Sequence, residues 1–495
     1  MHYICRLNYK KGEIVELEIH DFAFGGKGIH RMQTEQGNYI IFVLNALPGQ
    51  VVKAKIQKKR KRYAEARLVA VLKRSELEET QVFQSISGAP YITLPIKQQQ
   101  TFKTAAVMDL FQKFAAIENP VALYDEFINS PNTFHYRNKM EYSFSVIRHD
   151  LNSDQEKDDF GLGFKRTGTW WKVENLDSDS GMFDEQLENE LHKIRLWLQE
   201  TKLPAWHPPK KEGFFRHLVV RKSFSENELL INLVTSSEGI DQFNKIAFKD
   251  YLIELLGNRL AGYIHTVNDD VADRAKLDNG PSGLIWGKDR INENILGLNF
   301  EISMQSFFQT NPKSAEKLYS KVIEYATESS NLEGQVIMDL FCGTGTIGQI
   351  IASQIPTAQV IGVDIVESAI SNAKKNAKKN GLNGINWFAA DVGKFLSEHP
   401  NYKGRIDTII LDPPRAGIAP KTLQKVIALG ANRLIYVSCN PATQARDIAV
   451  LTSNGYELVK FSLVDQFPHT GHIESIGAFK KITLELDENS SNFMP

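Results

Sequence analysis

Cysteine is scarce in this chain. Only Cys5, Cys342 and Cys439 occur among 495 residues, which excludes a disulfide framework and leaves no set able to build a four-cysteine zinc or iron–sulfur site. Any cysteine in a conspicuous setting is therefore a candidate for chemistry. Long apolar runs are also missing: none approaches the roughly 18 residues of a membrane span, and MHYICRLNYKK lacks the apolar core of a secretory signal. A cytoplasmic protein with no membrane partner is expected. Nor does either sign of charge dominate, with 58 Lys and Arg against 59 Asp and Glu. What is present is ordinary globular usage, 42% hydrophobic and 24% charged, which excludes disordered and collagen-like chains. At roughly 100–200 residues per domain the length implies two to four domains.

The balanced total hides an uneven distribution. Residues 1–75 carry 15 Lys and Arg against 6 Asp and Glu, a net of +9. The excess concentrates in VVKAKIQKKRKRYAEARLVAVLKR at 51–74, where apolar positions alternate with Lys53, Lys55, Lys58, Lys59, Arg60, Lys61 and Arg62. A basic strand or hairpin edge that binds nucleic acid is the favoured reading, and a solvated charged turn the bland one.

Along the chain, EIVELEIH, NYIIFVLN and QVVKAKIQ read as short strands separated by the turns AFGGKGIHR and LPGQ, the pattern of a small β-barrel. QQQTFKTAAVMDLFQKFAAI follows, with Phe102, Ala106, Leu110, Phe111 and Phe114 at helical spacing as a core face. The stretch 134–300 mixes strands (HYRNKMEYSFSVI, FGLGFKR, HLVVRKS, ELLINLVTS, AGYIHTVN, ENILGLNFEIS) with helical material around 183–200 and 240–256. From about 301, strand and helix alternate as in a doubly wound parallel sheet. The expected architecture is multidomain α/β, with boundaries at 1–75, 76–300 and 301–495.

Chemistry-bearing motifs gather in the last third. QVIMDLF runs into CGTGTIG, placing Gly343, Gly345 and Gly348 where a strand turns into a helix, a GxGxxG that is weak alone. The next strand ends in Asp364, 21 residues after Gly343, the offset of a carboxylate that holds a ribose. A third ends in Asp391, for which a helix cap is the alternative. RIDTIILDPPRAGI then stops at Asp412-Pro413-Pro414-Arg415, a stiff lip at the sheet's carboxyl edge. RLIYVSCNP ends in Cys439, whose polar setting suits a nucleophile, whereas Cys342 between Phe341 and Gly343 reads as structural.

Together, DLFCGTGTIG, GVDI, LDPPRAGI and YVSCNP resemble the S-adenosylmethionine-dependent RNA (uracil-5-)-methyltransferases. SFFQTNP at 306–312 and FPHTGHIES at 467–475 extend the resemblance to six motifs in order, and the basic N-terminal barrel is similar to the TRAM module many members carry. The resemblance implies a TRAM-like (OB-like) RNA-binding barrel at 1–75, a mixed α+β RNA-recognition domain at 76–300 and a Rossmann-like class I methyltransferase domain at 301–495. It implies S-adenosyl-L-methionine as cofactor, held by Gln309, Phe341, Gly343, Gly345, Thr346, Asp364, Asp391 and Asp412. It also implies a mechanism in which Cys439 adds to C6 of uracil, C5 takes the methyl group, and Glu474 removes the C5 proton, with Asp412 beside them.

One departure stands out. QVFQSISGAPYITLPIK occupies the place of the four-cysteine cluster of iron–sulfur members and has no cysteine, so neither cluster nor metal is expected. The RNA is expected to be 23S rRNA, with tRNA as the alternative, and the protein to be a monomer. Phe307, Phe308 and Phe467 are candidates to stack on a target base taken out of its helix. His469 and His472 are read either as site-orienting or as packing residues. A nicotinamide-dependent dehydrogenase would share GxGxxG and Asp364 but gives no reason for SCNP or FPHTGHIE. An idle RNA-binding protein would have no need of Cys439 and Glu474.

Overall fold

The computed structural model describes residues 9–34, 37–149, 156–272, 282–328 and 334–482. The chain forms two compact units, one from Met1–Ala106, Asn129–Glu316 and Asp465–His472, the other from Val107–Ile128, Lys317–Val464 and Ile473–Pro495. Cys5 lies outside the described residues.

In the first unit, β1 (Ile14–Glu18), β2 (Asp21–Ala23), β3 (Lys27–Thr34), β4 (Gly37–Leu44), β5 (Val51–Lys59) and β6 (Tyr63–Lys73) hydrogen-bond in the order β1-β5-β6-β4-β3-β2. The two ends of that order are consecutive in sequence. Ile19 N–H donates to Gln50 O and His20 N–H to Ile29 O, so one bent strand closes the sheet into a barrel. Strict alternation does the sorting: Val52, Ala54 and Ile56 point inward with Ile41 and Val43, while Lys53 and Lys55 face water. Each large inward side chain contributes about 1.5–3 kcal/mol of burial. Of the glycine-rich stretch expected as a turn, residues 24–26 form the turn and the rest from Lys27 is strand β3, in which Gly28 packs where a Cβ would lie 2.7 Å from Ala46 O and from Ile19.

The helix α1 (Ile96–Phe114) follows, then β7 (Tyr124–Ile128), which belongs to the second unit. The buried stripe of α1 is Gln99, Lys103, Val107 and Phe111, whereas Phe114 is 60% exposed, so the expected face is corrected by part of a turn. The rest of the first unit centres on β8 (Lys139–His149), β9 (Glu156–Lys165), β10 (Val173–Asn175), β11 (Phe215–Lys222), β12 (Leu229–Thr235), β13 (Leu260–Val267) and β14 (Ser282–Gly287). Helices α2 (Glu185–Glu200) and α3 (Lys245–Leu256) pack on this sheet around Phe144, Phe215, Leu191 and Phe248. ENILGLNFEIS is a hairpin and not one strand: β15 (Arg290–Ile295) and β16 (Leu298–Ser303) pair across Leu296-Gly297, both at positive φ. Helix α4 (Pro312–Thr327) follows.

The second unit is the doubly wound part. β17 (Val336–Leu340), α5 (Thr346–Gln354), β18 (Gln359–Asp364), α6 (Glu367–Lys379), β19 (Ile385–Ala389), α7 (Val392–Glu398), β20 (Thr408–Leu411), α8 (Pro420–Leu429), β21 (Arg433–Ser438) and α9 (Pro441–Ser453) alternate. β22 (Tyr456–Val464) and β23 (Glu474–Lys481) complete the sheet β19-β18-β17-β20-β21-β23-β22-β7. β17 and β20 are neighbours although three strands apart in sequence, and that crossover opens a crevice at the carboxyl ends.

Candidate active site

The strand β17 ends in Phe341, whose φ of 63° is unusual for a bulky residue and stores about 1–3 kcal/mol of strain. Its N–H donates to Val363 O at 2.9 Å, which bends the chain over β18. Gly343 N–H then donates to Asp364 Oδ2 at 2.9 Å and Val366 N–H to Oδ1 at 2.8 Å. Asp364 is thus oriented by both loops at the crevice. Gly345 (φ 70°) is the N-cap of α5, and a Cβ there would lie 2.2 Å from the Trp387 ring. An indole from β19, which sequence reasoning missed, therefore supports the glycine loop from beneath, beside Cys342.

Carboxylates crowd the strand ends. Asp339, buried on β17, accepts from Gly348 N–H at 3.0 Å, while its Oδ1 is buried with no hydrogen-bond partner. Burial and the Asp412 and Asp364 charges push its carboxyl up to about 8. Burial, then Asp364, pushes Asp412 up to about 7. Tyr319 on α4 reaches Thr346 and feels Asp412, Asp339 and Glu474. Removed from water and unneutralised by one another, these groups form a site that favours a cation. Asp339 and Tyr319 carry no motif signal beyond their position beside DLF and SFFQTNP.

Two adjacent antiparallel strands carry the candidate nucleophile and base. Ser438 is the last residue of β21 and pairs with Ser475 of β23, and the residues just beyond that pair, Cys439 and Glu474, interact electrostatically. Burial pushes the Cys439 thiol up to about 11, helped by the Glu474 and Asp412 charges and opposed by Arg415. Burial likewise pushes Glu474 up to about 8, with Asp412 raising and Arg415 lowering it. Arg415, part of the DPPR lip but not foreseen as a site residue, is the cation common to both. The lip is fixed from behind: Ile418 N–H donates to Asp447 Oδ2 at 3.1 Å, Arg446 Nη2 to Ile418 O at 3.2 Å, and Asn440 Nδ2 to Arg415 O at 2.9 Å.

The remaining candidates are dispersed. Asp391 caps α7 through Lys394 N–H at 2.8 Å and is exposed. Gln309 belongs to the first unit, where its carbonyl accepts from Asn138 Nδ2 at 2.9 Å. Phe308 is core against Phe300, which removes it as a stacking candidate, Phe467 is half-buried, and Phe307 is 69% exposed. His469 is a packing residue: it is buried, stacked on Phe134 at 4.4 Å, and holds Gln99 Nε2 3.1 Å from its Nδ1. Burial drives it down to about 4, so it is neutral. The residues Lys53, Lys55, Lys58, Lys59, Arg60, Lys61 and Arg62 are all exposed along β5 and its turn into β6. Among the described residues no group of three or more His, Cys, Asp or Glu is arranged to hold a metal, and no helix is long and apolar enough to cross a membrane.

Comparison with known proteins decides the family. Residues 287–482 match the tRNA (Uracil-5-)-methyltransferase family and residues 9–69 the TRAM domain. An uncharacterized RNA methyltransferase of Clostridium tetani is 36% identical over 482 residues, 96% of this chain and 99% of the relative. The chain belongs to the RNA (uracil-5-)-methyltransferase family. A relative from Caldanaerobacter subterraneus, also named an uncharacterized RNA methyltransferase, is 36% identical over 95% of this chain and 99% of its own. The solved Pyrococcus abyssi tRNA (uracil-54, C5)-methyltransferase in complex with S-adenosyl-L-homocysteine is 25% identical, covers 94% of this chain and 99% of its own, and superposes with a TM-score of 0.70. The protein is thus an S-adenosylmethionine-dependent RNA methyltransferase with a TRAM domain. The carboxylates around Asp339 Oδ1 suit this donor, whose sulfonium and ammonium are both cationic.

Proposed function

We propose that the protein methylates C5 of a uridine in RNA through a transient bond between Cys439 and C6. This reading is supported by the ends of β21 and β23, where, just beyond the Ser438–Ser475 pair, the Cys439 thiol feels the Glu474 and Asp412 charges and both it and Glu474 feel Arg415. S-adenosylmethionine, when bound, supplies an electrophilic methyl group on a sulfonium. Gly343, Gly345, Thr346, Phe341 and Asp364 would hold it from the second unit, with Asp391 at its margin and Asp412 toward its charge. Cys439 gives up its thiol proton to solvent, the thiolate forms the S–C6 bond, and the C5–C6 π electrons move to C5, which becomes nucleophilic. Once C5 is methylated, Glu474 takes its proton, the C5–C6 double bond returns, and the S–C6 bond breaks to release the thiolate. Glu474 has the basicity for this near neutral pH because burial lifts it to about 8.

The barrel supplies RNA affinity through its basic strand, the central sheet contributes to recognition, and the work is done by a cytoplasmic monomer. The target we favour is 23S rRNA. A tRNA target is supported by the name of the matching family and by the Pyrococcus neighbour. Mapping 5-methyluridine in both RNAs from a strain lacking the gene tests the choice, since the mark vanishes from the true substrate alone. Cys439→Ala should lower turnover to below about a thousandth while calorimetric affinity for S-adenosylmethionine stays within twofold. Higher residual activity would assign the nucleophile elsewhere.

A further inference from the structure

We propose that Trp170 is a base-stacking residue for an unpaired nucleotide of the RNA, whose flanking phosphates run along the Lys53–Lys55 face of the barrel. This rests on the RNA methyltransferase reading and adds a binding element within the first unit. Trp170 lies at the tip of the turn between β9 and β10 and is 58% exposed. Its neighbours are tied down. Trp171 donates from Nε1 to Glu156 at 2.9 Å, and Lys172 is buried with its ammonium 3.4 Å from the same carboxylate. Trp170 meets Trp171 at 5.8 Å with the ring planes at 80°, so the two indoles are not stacked face to face.

The turn is rigid and seated on the barrel. Arg166 N–H donates to Lys172 O at 3.1 Å and Thr169 N–H to Arg166 O at 3.0 Å. Thr167 bonds Ser87 through both N–H (2.8 Å) and hydroxyl (3.0 Å), and Ser87 O accepts from the barrel residue Asn45 at 2.8 Å. Gly168 packs so closely on Arg67 that a Cβ would come 2.9 Å from its Cδ, with Gln57 Nε2 at 3.9 Å. Arg67 is the cross-strand partner of Lys55, and Lys53, Lys55 and Gln57 share the outward face of β5. Trp170, two residues beyond Gly168, therefore stands at the border of the basic strip. An exposed aromatic held next to a row of ammonium groups is the arrangement that binds single strands, the ring taking a base and the cations its phosphates. Lys58 is a lesser contributor because Glu65 lies 3.8 Å from it.

The test uses the full chain, a fluorescein-labelled oligouridylate and an RNA duplex of equal length, with anisotropy read across a salt series. Trp170→Ala should weaken oligouridylate binding about tenfold and leave duplex binding unchanged, and Trp170→Phe should restore most of the loss. The salt slope should stay at the wild-type value in Trp170→Ala but fall by about 0.7 per lysine in Lys53→Gln, Lys55→Gln. Wild-type oligouridylate affinity in Trp170→Ala, equal losses on both RNAs, or no oligouridylate binding by the wild type at low salt would each overturn the proposal. Methyl transfer to RNA from the deletion strain is assayed with the same preparations. Its persistence alongside any of those results separates failure of this inference from failure of the methyltransferase reading.

Discussion

Glu474 illustrates how a single residue's placement sets both chemistry and stability. Its carboxyl has a higher pKa folded (about 8) than in an exposed chain, so between those values the folded state binds the extra proton. Stability therefore falls as pH rises through that window and the penalty is complete above about 8. Glu474→Gln carries no such penalty. Its melting temperature relative to wild type should rise from pH 5 to pH 9, by the equivalent of about 4 kcal/mol, with any fixed cost of the amide cancelling in the difference. A gap independent of pH would mean the carboxyl is not buried as described. At this scale the positions of Cys439, Glu474, Asp364 and Asp412 are legible in the sequence because each stands at a strand end or one residue beyond it within a recognisable motif. Trp387 beneath Gly345 is not, since nothing local to INWFAAD announces what its indole will meet.

Among elements, the strand β5 was the easiest to read, because alternation of Val52, Ala54 and Ile56 with lysines leaves one solution for which face is wet. Replacing Lys58, Lys59, Lys61 and Arg62 by Gln should lower the salt slope of RNA binding by about 0.7–0.9 for each phosphate these side chains neutralise. S-adenosylmethionine affinity should be unaffected, and an unchanged slope would make the run a solvated turn. Other elements misled for physical reasons. ENILGLNFEIS reads as one strand because Leu296, Leu298, Phe300 and Ile302 alternate with Gly297, Asn299 and Glu301, although Ile295 beside Leu296 shifts the phase at the reversal. In α1 the buried stripe includes Gln99 and Lys103, polar residues that apolar periodicity discounts. Their burial depends on partners far along the chain.

Those partners belong to the scale of the whole molecule. Lys103 Nζ donates to Asp465 at 2.7 Å and to Phe467 O at 3.1 Å, and Gln99 Oε1 accepts from His469 N–H at 2.8 Å. Residues about 360 positions apart thus fix the segment that leads into Glu474. Both members of the ion pair are 2% exposed. Lys103→Met, which strands the Asp465 carboxylate, should destabilise the first unit by about 3–5 kcal/mol, and the double change Lys103→Met, Asp465→Leu should recover most of it. Urea unfolding followed by tryptophan fluorescence checks this, and a loss below about 1 kcal/mol would mean the pair is hydrated. No sequence period encodes such pairings, so the membership of 465–472 in the first unit was not legible.

The account's central claim is that nucleophile and base are separate groups acting in sequence on one RNA. Glu474→Gln keeps the side chain's size but removes the proton acceptor, so attack and methyl transfer should proceed while elimination stalls. Incubated with RNA and methyl-tritiated S-adenosylmethionine, this variant should accumulate a labelled protein–RNA complex that survives denaturing electrophoresis and is absent from the Cys439→Ala, Glu474→Gln double variant. Release of methylated RNA at near wild-type rate, or neither complex nor product, would contradict the assignment.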